Sequence, residues 1–157
     1  MPNVGGTTYT IATLAGAHAR LSGMCPSGAL STLAAQLNVP FAYVQVKNPH
    51  PKAAIVTVYS SQASGSGIIN TALASYARAT APATDAERKA CDEGVATFGD
   101  ASLTGNSAFA SMHKTGSVDR RVTIPAGATY TIYVAAETNA PTNVGSVKLN
   151  VRTDEFL

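Results

Sequence analysis

The segment Arg121-Val-Thr-Ile-Pro-Ala-Gly-Ala-Thr-Tyr-Thr-Ile-Tyr-Val-Ala135 constrains the fold more than any other part of the chain. Two alternating runs flank a Pro-Ala-Gly turn. In the first, Val122 and Ile124 share a face. In the second, Tyr130, Ile132 and Val134 share one face and Tyr133 lies on the opposite one. Alternation of β-branched and aromatic residues with a period of two, bounded by Pro and Gly, reads as strands joined by a tight turn, here a hairpin. A chain made of such units is an all-β antiparallel sandwich or barrel.

Related patterns recur along the chain. Thr7–Leu14 alternates, Ala17–Leu21 reads as a short strand, and Phe41–Lys47 and Ala54–Ser60 flank a two-proline turn at Asn48–Lys52, which predicts a second hairpin. Ser107–Met112 reads as a strand, and Gly145–Arg152 is a last one, with Val147, Leu149 and Val151 on one face. Gly28–Leu37 fits a helical turn or a loop with buried leucines. Ile68–Tyr76 fits a helix or a strand on periodicity alone. Thr84-Asp-Ala-Glu87 has capping-box spacing and predicts a short helix over Asp85–Asp92.

Composition narrows the class. A length of 157 residues suits one domain with a real hydrophobic core. Charged residues make up 13%, where about 25% is usual, so Ser, Thr, Asn, Ala and Gly must form much of the surface. Such exteriors are common among β-rich extracellular proteins. The net charge of +2 is scattered, with Arg120-Arg121 and Arg88-Lys89 as the basic pairs, so the basic stripe of a nucleic-acid binder is missing. No apolar run approaches the roughly 20 residues of a membrane span. Met1–Thr8 lacks the basic and apolar regions of a signal peptide. The expectation is a soluble chain, either a mature fragment with an added Met or a protein that reaches its site without a cleaved leader.

Cys25 and Cys91 lie in Gly- and Pro-containing or polar contexts, outside any C-x-x-C or His-rich zinc pattern. Two readings stand: one disulfide, or two buried thiols. A bond between them would close a loop of about 66 residues, worth roughly 4 kcal/mol on the chain-entropy estimate, and would imply an oxidising compartment.

Candidate chemistry is sparse. His18, His50 and His113 are isolated from one another and from ligand-spaced acids, and His50, between two prolines, reads as an exposed turn residue. The Gly-x-Ser-x-Gly elbow is missing, and so are the phosphate-loop patterns. No catalytic residue is assigned and the expectation is a non-enzyme. Asp85, Glu87, Asp92, Glu93 and Asp100 cluster in sequence. They fit a solvated helix whose acids pair with Arg88 and Lys89, and alternatively oxygen ligands for calcium. Tyr43, Tyr59, Tyr76, Tyr130 and Tyr133 fall in predicted strands, where Tyr133 could stack on a sugar ring or pack against its neighbours.

Taken in order, the second half resembles a known pattern. Ile69-Asn-Thr-Ala-Leu-Ala-Ser-Tyr76 is followed by a loop to Ala90-Cys-Asp-Glu93, then Ser107–Met112, Val122–Val134 and Gly145-Ser-Val-Lys-Leu-Asn-Val151. This is similar to the bacterial pre-peptidase C-terminal domains, small jelly-roll-like β-sandwiches attached to secreted enzymes and surface proteins. The likeness covers roughly residues 41–152, leaving 1–40 as an N-terminal extension of a single 1–157 domain. It implies that Ile69–Tyr76 is a strand. It also implies calcium at Asp92 and Glu93, although Asn70 stands where the family has an acid. The function implied is that of a non-catalytic extracellular or cell-surface binding module whose partner is a polysaccharide or a protein. The alternative is a self-assembling structural subunit (fibre, sheath or virion surface), with Asn3–Leu14 joining copies by strand addition.

Overall fold

The computed structural model describes residues 3–20, 24–25, 36–67, 70–96, 99–106, 108–137 and 145–157. The side chains of 17–20 and 36–38 are left aside. Its larger strands are β1 (Thr7–Arg20), β2 (Gln36–Lys47), β3 (Ala54–Gln62), β4 (Thr71–Tyr76), β5 (Glu93–Ala96), β10 (Thr129–Ala136) and β11 (Gly145–Phe156). Between β5 and β10 lie four short ones: β6 (Ser111–Met112), β7 (Lys114–Thr115), β8 (Val118–Asp119) and β9 (Val122–Ile124). Two short helices interrupt them, α1 (Asp85–Lys89) and α2 (Ala101–Thr104). The protein is all-β and antiparallel, as its alternation predicts.

One sheet runs in the order β5-β4-β10-β2-β1-β11-β3-β6, with β9 also paired to β3. It is nearly closed. The turn of the sheet occurs inside β1. Thr7–Leu14 pair with β11, whereas Ala15, His18 and Arg20 pair with β2 across two register shifts. Gly16 adopts φ +70° at this point, a conformation that costs glycine little, and such irregularities bend a strand. Thr7–Arg20 therefore supply a strand between β2 and β11 that is integral to the sheet. At the opposite seam, Ala108–Ala110 stitch β4 to β3. The Thr71 amide donates to the Ala108 carbonyl at 3.4 Å, the Ser60 amide to the Ala110 carbonyl at 3.1 Å, and the Ser60 and Thr71 hydroxyls meet at 2.5 Å.

Both expected hairpins are corrected. The strands exist, but β2 does not pair with β3, nor β9 with β10. Instead β2 pairs with β10 (Lys47↔Thr129) and β3 with β9 (Ala54↔Ile124). Each connection is thus an arch carrying the chain from the β2–β10 half of the sheet to the β3–β9 half, and the two arches stack. Asn48, fully buried, pins them. Its amide nitrogen reaches the carbonyls of Lys52 (2.8 Å), Ile124 (3.0 Å) and Pro125 (3.3 Å), while its side-chain oxygen accepts from the His50 amide. Its backbone amide donates to Ala128, continuing the β2–β10 ladder. Pro49 and Pro51 lack the N–H that a β2–β3 ladder would need at its start. Gly127, at φ +72°, closes the other arch.

The main core lies between the halves: Val46, Leu73, Val95, Ile132 and Val134 from one, and Val56, Val58, Val147, Leu149 and Val151 from the other. A second cluster covers the outer face of the first half: Ala72, Ala74, Tyr76, Tyr133 and Ala135 lie under Met24, Cys25 and Cys91, with Phe41 and Tyr43 alongside. Cys25 and Cys91 form a disulfide, which settles the two readings.

Local expectations fare unevenly. The strand reading of Ile69–Tyr76 is met over Thr71–Tyr76 by β4, and Ile69 lies outside the described residues. The Thr84 capping box is complete, with the Glu87 amide donating to Thr84 Oγ1 at 3.1 Å and Glu87 reaching back, but the helix stops at Lys89. The strand expected over Ser107–Met112 shrinks to two residues, because Ala108–Ala110 bond to both sides of the seam. The centre of Gly28–Leu37 lies outside the described residues.

Candidate functional site

The space between the halves opens at one end into a cavity of about 380 Å³. Ser75, Asp92, Glu93 and Tyr130 line one side of it, and Arg121 and Val122 the other. Strand alternation places these groups. Ser75 shares a face with Leu73, Glu93 with Val95 and Tyr130 with Ile132, so each sits where the core face of its strand runs out toward solvent. The polar lining is the continuation of the core face beyond the last apolar residue.

The β4–β5 pairing fixes the acids. The Asp92 amide donates to the Ser75 carbonyl at 2.8 Å, and the Glu93 amide to Ser75 Oγ at 3.2 Å. The Glu93 carboxylate lies 3.4 Å from Arg120 and also accepts from the Gly94 amide. Asp92 sits at the mouth. Burial by surrounding protein pushes its carboxyl above the ordinary value, partly offset by the Ala77 amide. Burial likewise raises the Tyr130 phenol, and the Asp92 charge raises it further.

On the facing wall Arg121 grips Asp119 with two hydrogen bonds, Nε to Oδ1 and Nη2 to Oδ2, both at 3.0 Å. Its Nη1 lies 3.6 Å from Asp154, which accepts from Arg152 Nε at 2.8 Å and from the Thr57 hydroxyl at 2.6 Å. Bidentate guanidinium–carboxylate pairing of this kind fixes orientation as well as charge.

The sequence candidates fall in different places. Asp92 and Glu93 do come together at the cavity. However, Glu93 is ion-paired, and among the described residues no three His, Cys, Asp or Glu side chains gather as metal ligands. Asp85 and Glu87 belong to the helix, pairing with Arg88 at 2.6 Å and Arg78 at 3.4 Å. Tyr133 is 2% exposed, packed against Phe41 and Tyr43 with centroids 6.3 and 5.7 Å away, so its ring is not presented to a ligand. Tyr130, three residues earlier on the inner face, borders the cavity.

His50 is exposed, its ring tilted 40° against that of Phe156 with centroids 4.4 Å apart. Ser111 Oγ and His113 Nδ1 meet at 2.6 Å, but Ser111 is fully buried, so this contact packs the fold and offers no nucleophile to solvent. Sequence reading missed Arg121 and Ser75. The Arg120-Arg121 pair was visible as charge, but nothing local tells which arginine turns inward. Comparison with protein-family models, curated proteins and solved structures returned no match to this chain.

Proposed function

We propose that this protein is a non-catalytic binding or accessory module acting outside the cell or at its surface, and that the cavity at the end of the sheet takes part in recognition. The observation that carries this reading is a cavity of about 380 Å³, lined by both polar and apolar surface and framed by hydrogen-bonded strands, at the lower end of the size range of small-ligand pockets. Its geometry is preorganised by the Ser75–Asp92–Glu93 contacts and by the Arg121 ion pairs, so binding needs little ordering of the walls. The Cys25–Cys91 bond supports an oxidising location. The partner in this reading is a polysaccharide or protein at a bacterial surface, the setting implied by the likeness to pre-peptidase C-terminal domains.

The test is retention on a panel of insoluble polysaccharides, with amide chemical shifts followed by NMR. Retention accompanied by shifts at Ser75, Glu93 and Tyr130, and lost in Tyr130→Ala, supports the cavity. Retention unchanged in that variant moves the site elsewhere, and a panel with neither retention nor shifts sinks the reading for glycans.

One observation favours the structural-subunit alternative. Tyr9 and Ile11, 60% and 50% exposed, stand side by side on the outer face of β1. Because Thr7–Leu14 already pair with β11, the contact would be face to face rather than strand addition by a free segment. Sizing chromatography separates the two readings. Oligomers that dissociate in a Tyr9→Ser, Ile11→Ser variant support assembly, and a monomer at micromolar concentration removes it.

A further inference from the structure

We propose that β1 pairs edge to edge with β1 of a second copy, joining two protomers through one continuous antiparallel sheet. The inference rests on the structural-subunit reading and adds a contact distinct from the outer-face one. In it β1 keeps its place beside β11 and offers its other edge.

β1 lies between β11 and β2, but along different lengths. Thr7–Leu14 pair with β11, and the pairing with β2 begins only at Ala15↔Phe41. The Thr153 amide donates to the Gly6 carbonyl at 2.8 Å, which sets the phase of the β11 ladder. Backbone groups alternate in direction along a paired strand, so those of Thr8, Thr10, Ala12 and Leu14 point toward β11. Those of Thr7, Tyr9, Ile11 and Thr13 point the opposite way, and among the described residues no strand pairs with them. Thr8 and Thr10 share the inner face with Ala12 and Leu14, yet they are partly exposed while Ala12 and Leu14 are buried. This is the exposure of an open sheet edge.

Native sheets blunt such an edge with lysine, proline, a bulge or a covering element. Thr7 to Ala17 contains no charged residue and no proline, and the first register shift comes after Ala15. The edge is instead self-complementary. Two copies of β1 related by a two-fold axis at Thr10 set Tyr9 opposite the partner's Ile11 and Thr7 opposite the partner's Thr13. All four carry backbone groups that face outward, so each opposed pair can exchange two hydrogen bonds. Aromatic–β-branched and Thr–Thr pairs are favourable cross-strand combinations, and an uncharged strand brings no like charges together across the axis. A strand of unrelated sequence would find the backbone groups without these matched side chains, which is why the occupant is a second copy.

Amide hydrogen exchange followed by NMR at rising protein concentration tests the contact. In dilute protein the amides of Thr8, Thr10 and Ala12 should be protected by β11, while those of Tyr9 and Ile11 exchange freely. When about nine-tenths of the chain is dimer, Tyr9 and Ile11 should exchange roughly tenfold more slowly, because only the free protomer exposes them. Ile11→Pro removes an outward N–H and none that bonds β11, a placement that edge strands tolerate. By sizing chromatography this variant should be a monomer at concentrations where the native chain is a dimer, with Thr8, Thr10 and Ala12 still protected. A dimer whose Tyr9 and Ile11 amides still exchange freely, or one that Ile11→Pro leaves intact, overturns the edge contact and leaves the outer-face reading standing. If the variant does not fold, the exchange profile of the native chain decides alone. A native chain that stays monomeric throughout removes both contacts.

Discussion

In the half of the sheet built from β2, β10, β4 and β5, both faces are buried along β4, β10 and β5, while β2 is half-buried for most of its length. All six residues of β4 are covered, as are the last six of β10. In the half built from β1, β11 and β3, burial alternates: Ala12 and Leu14 point in, while Tyr9, Ile11 and Thr13 stand in solvent. The strands have similar composition, so the difference lies in what is laid on top. An antiparallel sheet with one wet face gives clean alternation, and a doubly buried one gives continuous runs. Here the second cover comes from Met24–Cys25 and the end of α1. It is held down by the disulfide, by the Cys25 amide donating to the Lys89 carbonyl at 3.0 Å, and by the Tyr76 hydroxyl donating to the Arg88 carbonyl at 2.7 Å. Alanines at 72, 74 and 135 keep the floor low enough for this cover to approach.

If the cover depends on the disulfide, removing it should produce the largest loss. Cys25→Ala with Cys91→Ala is expected to cost roughly 4 kcal/mol, measured by urea denaturation. Hydrogen exchange should rise first at β4 and β10, with β11 and β3 lagging. Uniform loss across both halves would break the comparison.

The stacked arches that join the halves come next. Asn48→Ala leaves the buried Ile124 carbonyl, and the part-buried carbonyls of Lys52 and Pro125, without their donor, and a loss of about 2 kcal/mol is expected. A change below the error of denaturation would show that the arches hold without their pin.

Acid should act at the short β7–β8 ribbon, a separate two-stranded sheet. Hydrogen bonds from Arg121 hold the Asp119 carboxyl down at about 2. A depressed carboxyl contributes stability above its unfolded value near 4, and that contribution is lost as pH falls through about 2. Asp119 is 46% exposed, so the effect is small. The expected outcome is a shallower acid transition in Asp119→Asn between pH 4 and 2, and identical curves would refute it. Last, Tyr9→Ala on the wet face should change stability by no more than about 0.5 kcal/mol. The Lys148 ammonium lies 5.0 Å from its ring centroid. A loss like that of a core tyrosine would mean that this face is covered in solution.

Strands were legible in the sequence, but their partners were not. Val122–Ile124 and Thr129–Val134 could be read directly, because alternation is a local property. Whether a Pro-Ala-Gly turn makes a hairpin or an arch depends on Asn48 and on ladders to strands far away in sequence, which no local pattern encodes. The face of Tyr133 was likewise read correctly, yet its burial was not, because the residues above it are about a hundred positions away. At the candidate site, Asp92 and Glu93 stood out as acids. Ser75 and Tyr130 looked like ordinary strand residues until the end of the core placed them on the wall.

The position of β1 has a kinetic side. Thr7 pairs with Arg152 and Leu14 with Gly145, so the strand where the sheet turns must wait for a segment far downstream in sequence. Such non-local pairing slows folding, since loop-closure entropy is lost before the contacts form. During synthesis, β1 stays without its β11 partner until the segment Gly145–Phe156 has emerged. A nascent chain of this design spends its early life with a ready-made strand edge exposed, and benefits from any factor that shields that edge until the ladder closes.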